Sequence, residues 1–401
     1  MNSELKQAMD AHLAKTVSTS PGLPGVIAMI TDRDGDIYRG SAGTRAIGGG
    51  DEMTLDTVFA LYSTTKAVTA VAVLQLMEDG SLDLDAPART YLPEIGDLKV
   101  LEGFGADGHP ILRRPAREIT TRMLLTHTAG LAYDFFSGDY VRFMQATGTP
   151  SPFSGRRAAL NTPLLFEPGE RWHYGSNIDW CGQIVEAIAG QRLGEVFEKR
   201  IFAPLGMRDT SFRLHEGLHP RLATLHDRHA DGSLTRSAFS LPAEPEVDMG
   251  GHGLFGTVGD YMKFIRMWLN QGRGDHGRVL RSETVALALS NQMGDLKVQP
   301  MQGMVPALAS DAEFFPGMPK SWGYSFMIND EDTPMGRPAG AAAWAGLANL
   351  FYWIDHRNGF GGFWATQIIP LGDLTSIVGF FEMEAIFNHG FAPRLRGASV
   401  A

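Results

Sequence analysis

The stretch from Ser63 to Gly80 constrains the fold more than any other part of this 401-residue chain. It reads STTKAVTAVAVLQLMEDG, is apolar nearly all round, and ends at a glycine, as helices often do. A helix without a polar face must be covered on every side, so the chain has to build a large core around it. Its first turn nevertheless carries Lys66, and a lysine in such surroundings needs a functional reason.

Composition narrows the class of protein. The chain is 44% hydrophobic and 20% charged, with a net charge of −10 and no basic stretch, so we expect a globular protein and no nucleic-acid partner. Its one cysteine, Cys181, excludes an intrachain disulfide. The first residues, MNSELKQAMDAHLAKTV, lack the apolar core of a secretory signal, and no apolar run is long enough for a bilayer. We therefore expect a cytoplasmic protein without a membrane partner.

Hydrophobic periodicity and turn residues predict the other elements. Apolar residues at helical spacing predict a helix over residues 4–17, and VGDYMKFIRMWLNQG predicts one further along. Two β-rich runs around Asp34-Gly35 predict a hairpin in GVIAMITDRDGDIYRGSAGT. Aromatic runs around Asn358-Gly359 predict two more strands, and LTSIVGFFEME predicts another after them.

The order of these elements predicts interleaved domains, because no linker separates the chain into independent units. We expect an α/β body formed by residues 1–90 and 250–401. A mainly helical insertion, residues 91–249, would lie between its two halves.

The first chemical motif is the SxxK sequence that begins at Ser63. A spacing of three residues on a helix lets the Lys66 amine approach the Ser63 hydroxyl, which needs a base to become a nucleophile. A helix N-terminus also presents free N–H groups, and that of Ser63 can point toward an oxyanion. The alternative is a polar helix cap followed by an exposed lysine.

Two further segments carry candidate site residues. Tyr174, in WHYGSN, can relay a proton beside a lysine, and Ser176 lies two residues on. In the segment from Trp344 to Gly346 we expect the start of an edge strand where substrate can approach the backbone, with the N–H of Leu347 as a second oxyanion donor. For both segments, packing in the core is the alternative.

Two histidine motifs suggest other chemistry. The sequence from His215 to His219 reads HEGLH, the zinc-protease pattern, but Gly217 within it and Pro220 after it oppose the helix that such a site requires. His127 suggests a Ser-His-Asp triad, yet the chain contains no GxSxG elbow. We expect no metal or organic cofactor, and a buried His127 that bonds to backbone.

Taken together, the motifs resemble the penicillin-recognising serine hydrolases, and more closely their class C β-lactamase-like branch with its family VIII carboxylesterases. The resemblance covers residues 25–385 and is carried by these stretches: FALYSTTKAVTAVAVLQLMEDGSLDLDAPARTYLP, LLTHTAGL, FEPGERWHYGSNIDWCGQIVEAIAG, IFAPLGMRDTSF, GGHGLFGTVGDYMKF and WIDHRNGFGGFWATQ. It implies a β-lactamase/transpeptidase-like fold, in which an antiparallel sheet flanked by helices is joined to a mostly helical domain. It also implies that Ser63 is the nucleophile, Lys66 its base and Tyr174 the active-site tyrosine.

The chain departs from the β-lactamase pattern at two places. Where those enzymes have Tyr-x-Asn, Asn177 comes one position late. Where they have Lys-Thr-Gly on a strand, this chain has Trp-Ala-Gly from Trp344. Loss of that cation argues against anionic substrates, and a tryptophan offers apolar area instead.

These departures predict a serine carboxylesterase for short-chain esters with a small-molecule substrate. The alternatives are a β-lactamase, a D-amino-acid peptidase or amidase, an acyltransferase with the same site, and a binding protein without activity. A homo-oligomer stays open. Four aromatic residues are candidates for an acyl pocket, with core packing as the equal alternative: Phe135, Phe136, Phe153 and Trp172.

Overall fold

A computed structural model describes residues 2–398 of the chain, so the ends of the predicted body at residues 1 and 399–401 lie outside it. The described α-helices are α1 Ser3–Ser18, α2 Thr65–Glu78, α3 Thr121–Leu125, α4 Gly138–Thr147, α5 Asn177–Ala189, α6 Leu193–Phe197, α7 Ala203–Leu205, α8 Val258–Leu269, α9 Ser282–Ala288, α10 Leu374–Ala385 and α11 Ala392–Ala398. Among them, α1, α2 and α8 form where the sequence predicts helices.

The strands, in chain order, are β1 Gly25–Thr31, β2 Asp36–Gly43, β3 Val58–Ala60, β4 Val100–Phe104, β5 Pro110–Arg113, β6 His226–Arg228, β7 Leu234–Arg236, β8 Phe255–Thr257, β9 Lys320–Trp322, β10 Met327–Asn329, β11 Ala342–Gly346, β12 Leu350–Asp355, β13 Phe360–Ala365 and β14 Ile368–Ile369. Seven of them form one antiparallel sheet in the order β2-β1-β13-β12-β11-β10-β9. Both predicted hairpins, β1–β2 and β12–β13, belong to it. The prediction of an antiparallel sheet flanked by helices is confirmed.

Helices cover both faces of this sheet, and the contacts of β13 show why its sequence contains no polar residue. Successive side chains of a strand point to opposite faces. Phe363 contacts Tyr261 of α8, with ring centroids 4.7 Å apart, whereas the indole N–H of Trp364 donates to Ser376 of α10 on the other side. Strand β13 is therefore buried on both faces and has no polar alternation.

Strands β3 and β8 connect the sheet to α2. They pair with each other directly before the turn that contains Ser63 and directly before α8. The N–H of Leu61 donates to the Leu254 carbonyl at 2.8 Å, and the Tyr261 hydroxyl donates to the Thr64 carbonyl at 2.9 Å. These bonds fix the start of α2 against α8 and β8.

The predicted strand LTSIVGFFEME is wrong, because these residues form α10. Asp373 caps the helix by accepting from the N–H of Ser376 at 2.9 Å. Its buried side chains include Ser376, Phe380 and Met383, a helical spacing that the β-branched and aromatic composition concealed.

The predicted edge position of Trp344 also needs correction. Strand β11 lies inside the sheet, between β10 and β12, and Gly346 ends the strand instead of starting it. However, β10 pairs only with Ala342 and Ala343. The end of β11 that carries Trp344 and Gly346 therefore has an open side, and this side faces the turn at Ser63.

Residues 91–249 contribute short helices and two small β-elements, the β4–β5 hairpin and the pair β6–β7, but no strand to the seven-stranded sheet within the described chain. The division into domains stays a prediction. Among the described residues, no helix combines the length and the apolar character that crossing a bilayer requires.

A buried ion pair anchors α10 to the loop before β11. Both nitrogen-to-oxygen contacts of Arg337 with Glu384 are short, at 2.6 and 2.8 Å, and the two side chains are 2% and 0% exposed. We expect Glu384→Gln to lower the free energy of unfolding by about 3–5 kcal/mol, because an unpaired guanidinium stays in the core. Glu4→Gln removes the exposed partner of Arg394 and should cost under about 1 kcal/mol. Urea unfolding measures both, and equal losses would contradict the prediction.

Candidate active site

Ser63 lies in a strained turn at the start of α2. Residues Tyr62–Thr64 form a 3₁₀ turn, and Tyr62 has a φ of 45°, which is rare for a bulky residue and costs on the order of 1–3 kcal/mol. Tyr62 and Thr64 are buried, whereas Ser63 is half-buried. The turn therefore presents the Ser63 hydroxyl at the surface of a cavity, and the packed surroundings hold it there.

Lys66 is buried and bonded to three oxygen atoms. Its Nζ lies 3.2 Å from Ser63 Oγ, 3.1 Å from the Tyr133 hydroxyl and 2.7 Å from the Gly251 carbonyl. Burial lowers the pKa of Lys66 to about 7, against the opposing effect of Asp179. A neutral amine beside a serine hydroxyl can accept its proton, which is the geometry that the SxxK spacing predicts.

Two residues of this site, Tyr133 and Asp179, were missed at the level of sequence. The Tyr133 hydroxyl donates to Asp179 Oδ2 at 3.0 Å, and the N–H of Gly251 donates to Asp179 Oδ1 at 2.8 Å. Asp179 belongs to α5 and is fully buried. An acidic residue inside the apolar helix NIDWCGQIVEAIA is a signal of the same kind as Lys66 and could have identified it.

Tyr174 lies against the same amine. Its ring centroid is 4.8 Å from Lys66 Nζ, and its hydroxyl accepts from the indole N–H of Trp344 at 3.1 Å. Burial raises the pKa of Tyr174 above its usual value, so the hydroxyl is protonated at neutral pH. The same hydroxyl also interacts with the Ser63 side chain, so it can pass its proton to a group bound at the nucleophile.

Residues 175–177, which follow Tyr174, bond to or pack against the neighbouring loop and do not line the cavity. A Cβ at Gly175 would lie 2.4 Å from Ala132 Cα, so only glycine allows this approach to the neighbouring loop. Ser176 is buried at the start of α5, is not among the residues that line the cavity, and donates its N–H to Ala132. Asn177 bonds to Nδ1 of His127 at 3.0 Å. Buried His127 also accepts from the Gly175 N–H at 3.4 Å, as predicted for a histidine that bonds to backbone.

The end of β11 comes close to the Ser63 turn. A Cβ at Gly346 would lie 2.7 Å from the Leu61 carbonyl oxygen, so a larger residue would push the strand away. Trp344, Gly346 and Leu347 all line the cavity with Ser63. This placement is compatible with the predicted oxyanion donors, the N–H groups of Ser63 and Leu347.

The cavity at Ser63 is narrow, with a volume of about 20 Å³, and its walls are mainly aromatic. Phe135, Phe136 and Phe153 line it, whereas Trp172 packs on Trp322, with ring centroids 5.4 Å apart. Among the described residues that line it, none is Lys, Arg, Asp or Glu, and burial lowers the pKa of His252 to about 4. The cavity surface therefore carries no charge at neutral pH.

Two other features of the chain lie away from this chemistry. The HExxH segment forms no α-helix: His215 accepts from the Gly217 N–H, and a 3₁₀ turn begins at His219. A larger cavity of about 690 Å³ is lined by residues such as Arg33 and Asp330, but it contains none of the predicted site residues.

Comparison with known proteins decides the family. A sequence profile of the beta-lactamase family matches residues 5–371. The chain belongs to this family. Lovastatin esterase from Penicillium rubens is 31% identical, over 95% of this chain and 97% of its own length. Monacolin J acid methylbutanoyltransferase from Aspergillus terreus is also 31% identical, over 91% of each chain. The LovD6 mutant of simvastatin synthase from Aspergillus terreus superposes with a TM-score of 0.82 at 28% identity, covering 98% of this chain and 95% of that one.

These similarities confirm the predicted β-lactamase/transpeptidase-like fold. They also show that the chain belongs to a family of serine-hydrolase-like enzymes whose members are named both as esterases and as acyltransferases. The finer assignment within this family has to come from the site itself.

The Lys66 amine generates a prediction about pH. Its pKa in the folded protein is lowered to about 7, so the neutral, proton-accepting form predominates above that pH and is lost below it. The rate at which a fluorophosphonate probe labels Ser63 should therefore rise with pH through about 7 and then level off. Lys66→Met should abolish the labelling. A rise that continues to pH 10 would show that the amine is not held neutral.

Proposed function

We propose that this protein is a serine carboxylesterase of the family VIII type, which hydrolyses short-chain carboxylic esters through an acyl-enzyme on Ser63. The observation that carries the proposal is a buried amine, with a pKa lowered to about 7, whose Nζ lies 3.2 Å from a serine hydroxyl at the wall of an uncharged cavity. This combination activates a nucleophile and excludes charged substrates at the same time.

Acylation uses Lys66 and Tyr174 in sequence. Ser63 Oγ forms a bond to the ester carbonyl carbon while Lys66 takes the hydroxyl proton. When the tetrahedral intermediate collapses, the bond to the alcohol oxygen breaks and this oxygen receives the proton of Tyr174. The proton on Lys66 then restores the Tyr174 hydroxyl. The indole N–H of Trp344 donates to the oxygen of the same hydroxyl. This bond keeps the Tyr174 proton directed at the leaving group and stabilises the tyrosine oxygen while it is negatively charged.

The oxyanion would lie between the Ser63 turn and the end of β11. The Leu347 N–H and the Ser63 N–H belong to the two backbone segments that Gly346 allows to approach each other. Donors that are fixed before the reaction stabilise the developing charge without reorganisation, and one such donor is worth about 10²–10³ in rate.

The cavity favours a short, neutral acyl group. Its volume of about 20 Å³ is far below that of typical ligand sites, and phenylalanine rings cover much of its wall. Trp344 stands where related enzymes that bind carboxylates place a lysine. These features disfavour a β-lactam or a D-amino-acid peptide, and the intact Ser63 and Lys66 disfavour a binding protein without activity.

Acyl transfer to an alcohol is the second candidate. The acylation step is the same, but an organic hydroxyl, instead of water, takes the acyl group from Ser63. The apolar cavity supports this alternative because it gives an alcohol binding energy that water lacks. The names of the relatives also support it, since a methylbutanoyltransferase matches this chain as well as an esterase does.

The cytoplasmic location expected from the N-terminal sequence stays a prediction.

The decisive experiment measures the hydrolysis of nitrophenyl acetate and butyrate. Ser63→Ala and Lys66→Ala should each reduce kcat/KM by roughly 10⁴-fold or more, as removal of a nucleophile or its base does in other serine hydrolases. Ser81→Ala, at an exposed serine just beyond α2, is the matched control and should retain full activity. Turnover by either site variant at the wild-type rate would refute the proposal.

The same assay separates the candidates when an alcohol is added. An esterase releases free acid at a rate that the alcohol changes little, whereas an acyltransferase diverts the acyl group into a new ester at millimolar alcohol. Nitrocefin hydrolysis that rivals ester hydrolysis would favour a β-lactamase instead.

A further inference from the structure

Asp179 has a buried carboxylate that plays no part in the acylation steps proposed for Ser63, Lys66 and Tyr174. It is 0% exposed, and its two oxygens accept from the Tyr133 hydroxyl and the Gly251 N–H at 3.0 and 2.8 Å. Both of these groups belong to residues that also bond Lys66. Tyr133 offers its oxygen to the amine, and Gly251 offers its carbonyl. Asp179 therefore forms a hydrogen bond with both Tyr133 and Gly251, the two residues that hold Lys66 in place.

Hydrogen-bond direction at Lys66 depends on this arrangement. A neutral amine has two N–H donors and one lone pair. The Gly251 carbonyl can only accept, so it takes one N–H. For the lone pair to face Ser63, the Tyr133 oxygen must accept the other. The Tyr133 proton then needs another acceptor, and Asp179, which as a carboxylate only accepts, is 3.0 Å away.

We propose that Asp179 is a positioning residue, which fixes the direction of the hydrogen bonds around Lys66 and provides the countercharge when Lys66 takes the Ser63 proton. The inference rests on the proposed function. The bonds run in one direction from donor to acceptor: Ser63 to Lys66, Lys66 to Tyr133, and Tyr133 to Asp179. When the proton moves, the bond from hydrogen to Ser63 Oγ breaks, a bond to Lys66 Nζ forms, and Asp179 remains ionised.

The packing supports a dedicated role for this carboxylate. A Cβ at Gly251 would lie 2.5 Å from Asp179 Oδ2, so the backbone is shaped to the carboxylate. Neutral groups surround Lys66 on the other sides: Tyr133, Tyr174, His127 and His252. Burial keeps the tyrosines protonated and the histidines uncharged at neutral pH. Among the described residues around the amine, Asp179 therefore provides the negative charge, and its oxygen also lies 3.5 Å from His252 Nδ1.

Replacing Asp179 by asparagine tests the direction of these bonds. An amide can donate its NH₂ group to Tyr133, so the tyrosine proton can turn toward Lys66 and occupy the lone pair. The base would then be blocked although every side chain stays in place. Loss of the negative charge would also disfavour the ammonium form, so the pKa of Lys66 should fall further.

The experiment measures fluorophosphonate labelling of Ser63 against pH, because loss of fluoride needs no acid and isolates the proton transfer to Lys66. We expect Asp179→Asn to slow labelling on the order of 100-fold. The acid limb of the profile should move below that of the wild type. Tyr133→Phe should also slow labelling by at least about 10-fold, and the double variant should be no slower than the slower single one, because both act through one path.

Asp260→Asn provides the matched control. Asp260 is a buried carboxylate of α8 that bonds Lys263 and Thr210, outside the site. Its replacement should lower Tm without moving the acid limb of the labelling profile.

An Asp179→Asn protein whose labelling rate and acid limb equal those of the wild type would overturn the inference while leaving the esterase proposal intact. If Asp179→Asn does not fold, a labelling loss below threefold in folded Tyr133→Phe overturns it. A wild-type protein that does not label would refute the proposed function itself.

Discussion

Burial of the Lys66 amine is the constraint on which the rest of the site depends. An ammonium ion in an apolar helix is costly, and burial shifts the equilibrium toward the neutral amine. The same burial that threatens stability therefore supplies a base at neutral pH. Three oxygen partners and the nearby charge of Asp179 limit the free-energy cost of burying the amine, because they replace part of its lost hydration.

The scaffold brings these partners together from distant parts of the chain. Lys66 and Tyr133 are 67 residues apart, and Lys66 and Gly251 are 185 apart. Helices α2 and α5 pack against each other, and the glycines before β8 allow the backbone to approach both. The seven-stranded sheet adds the end of β11, and Gly346 sets how near this strand can come to Ser63. A small change in any of these packing surfaces would therefore alter the position of the Ser63 hydroxyl.

Much of this arrangement could be predicted from local sequence, and the failures have physical causes. The SxxK spacing places Lys66 beside Ser63, because both belong to the same turn. Tyr133 escaped prediction because its bonds cross the fold and no local pattern marks it. Asp179 carried a local signal, an acidic side chain in the apolar helix α5, but nothing in the sequence links it to Lys66. Ser176 was a candidate through its neighbour Tyr174, but it is buried and does not line the cavity. The segment of α10 was mistaken for a strand because its β-branched residues hid a helical spacing.

A site of this kind can serve hydrolysis or acyl transfer, since both begin with the same activated serine. What both require is a Lys66 amine that is neutral near pH 7, and the most direct test observes it without substrate. The protein can be labelled with ¹³C at the ε-carbons of lysine and titrated by NMR, with Lys66→Met to assign the resonance. The account predicts that the Lys66 signal titrates near pH 7, while exposed lysines titrate near 10.4. A Lys66 signal that still reports an ammonium ion at pH 9 would contradict it.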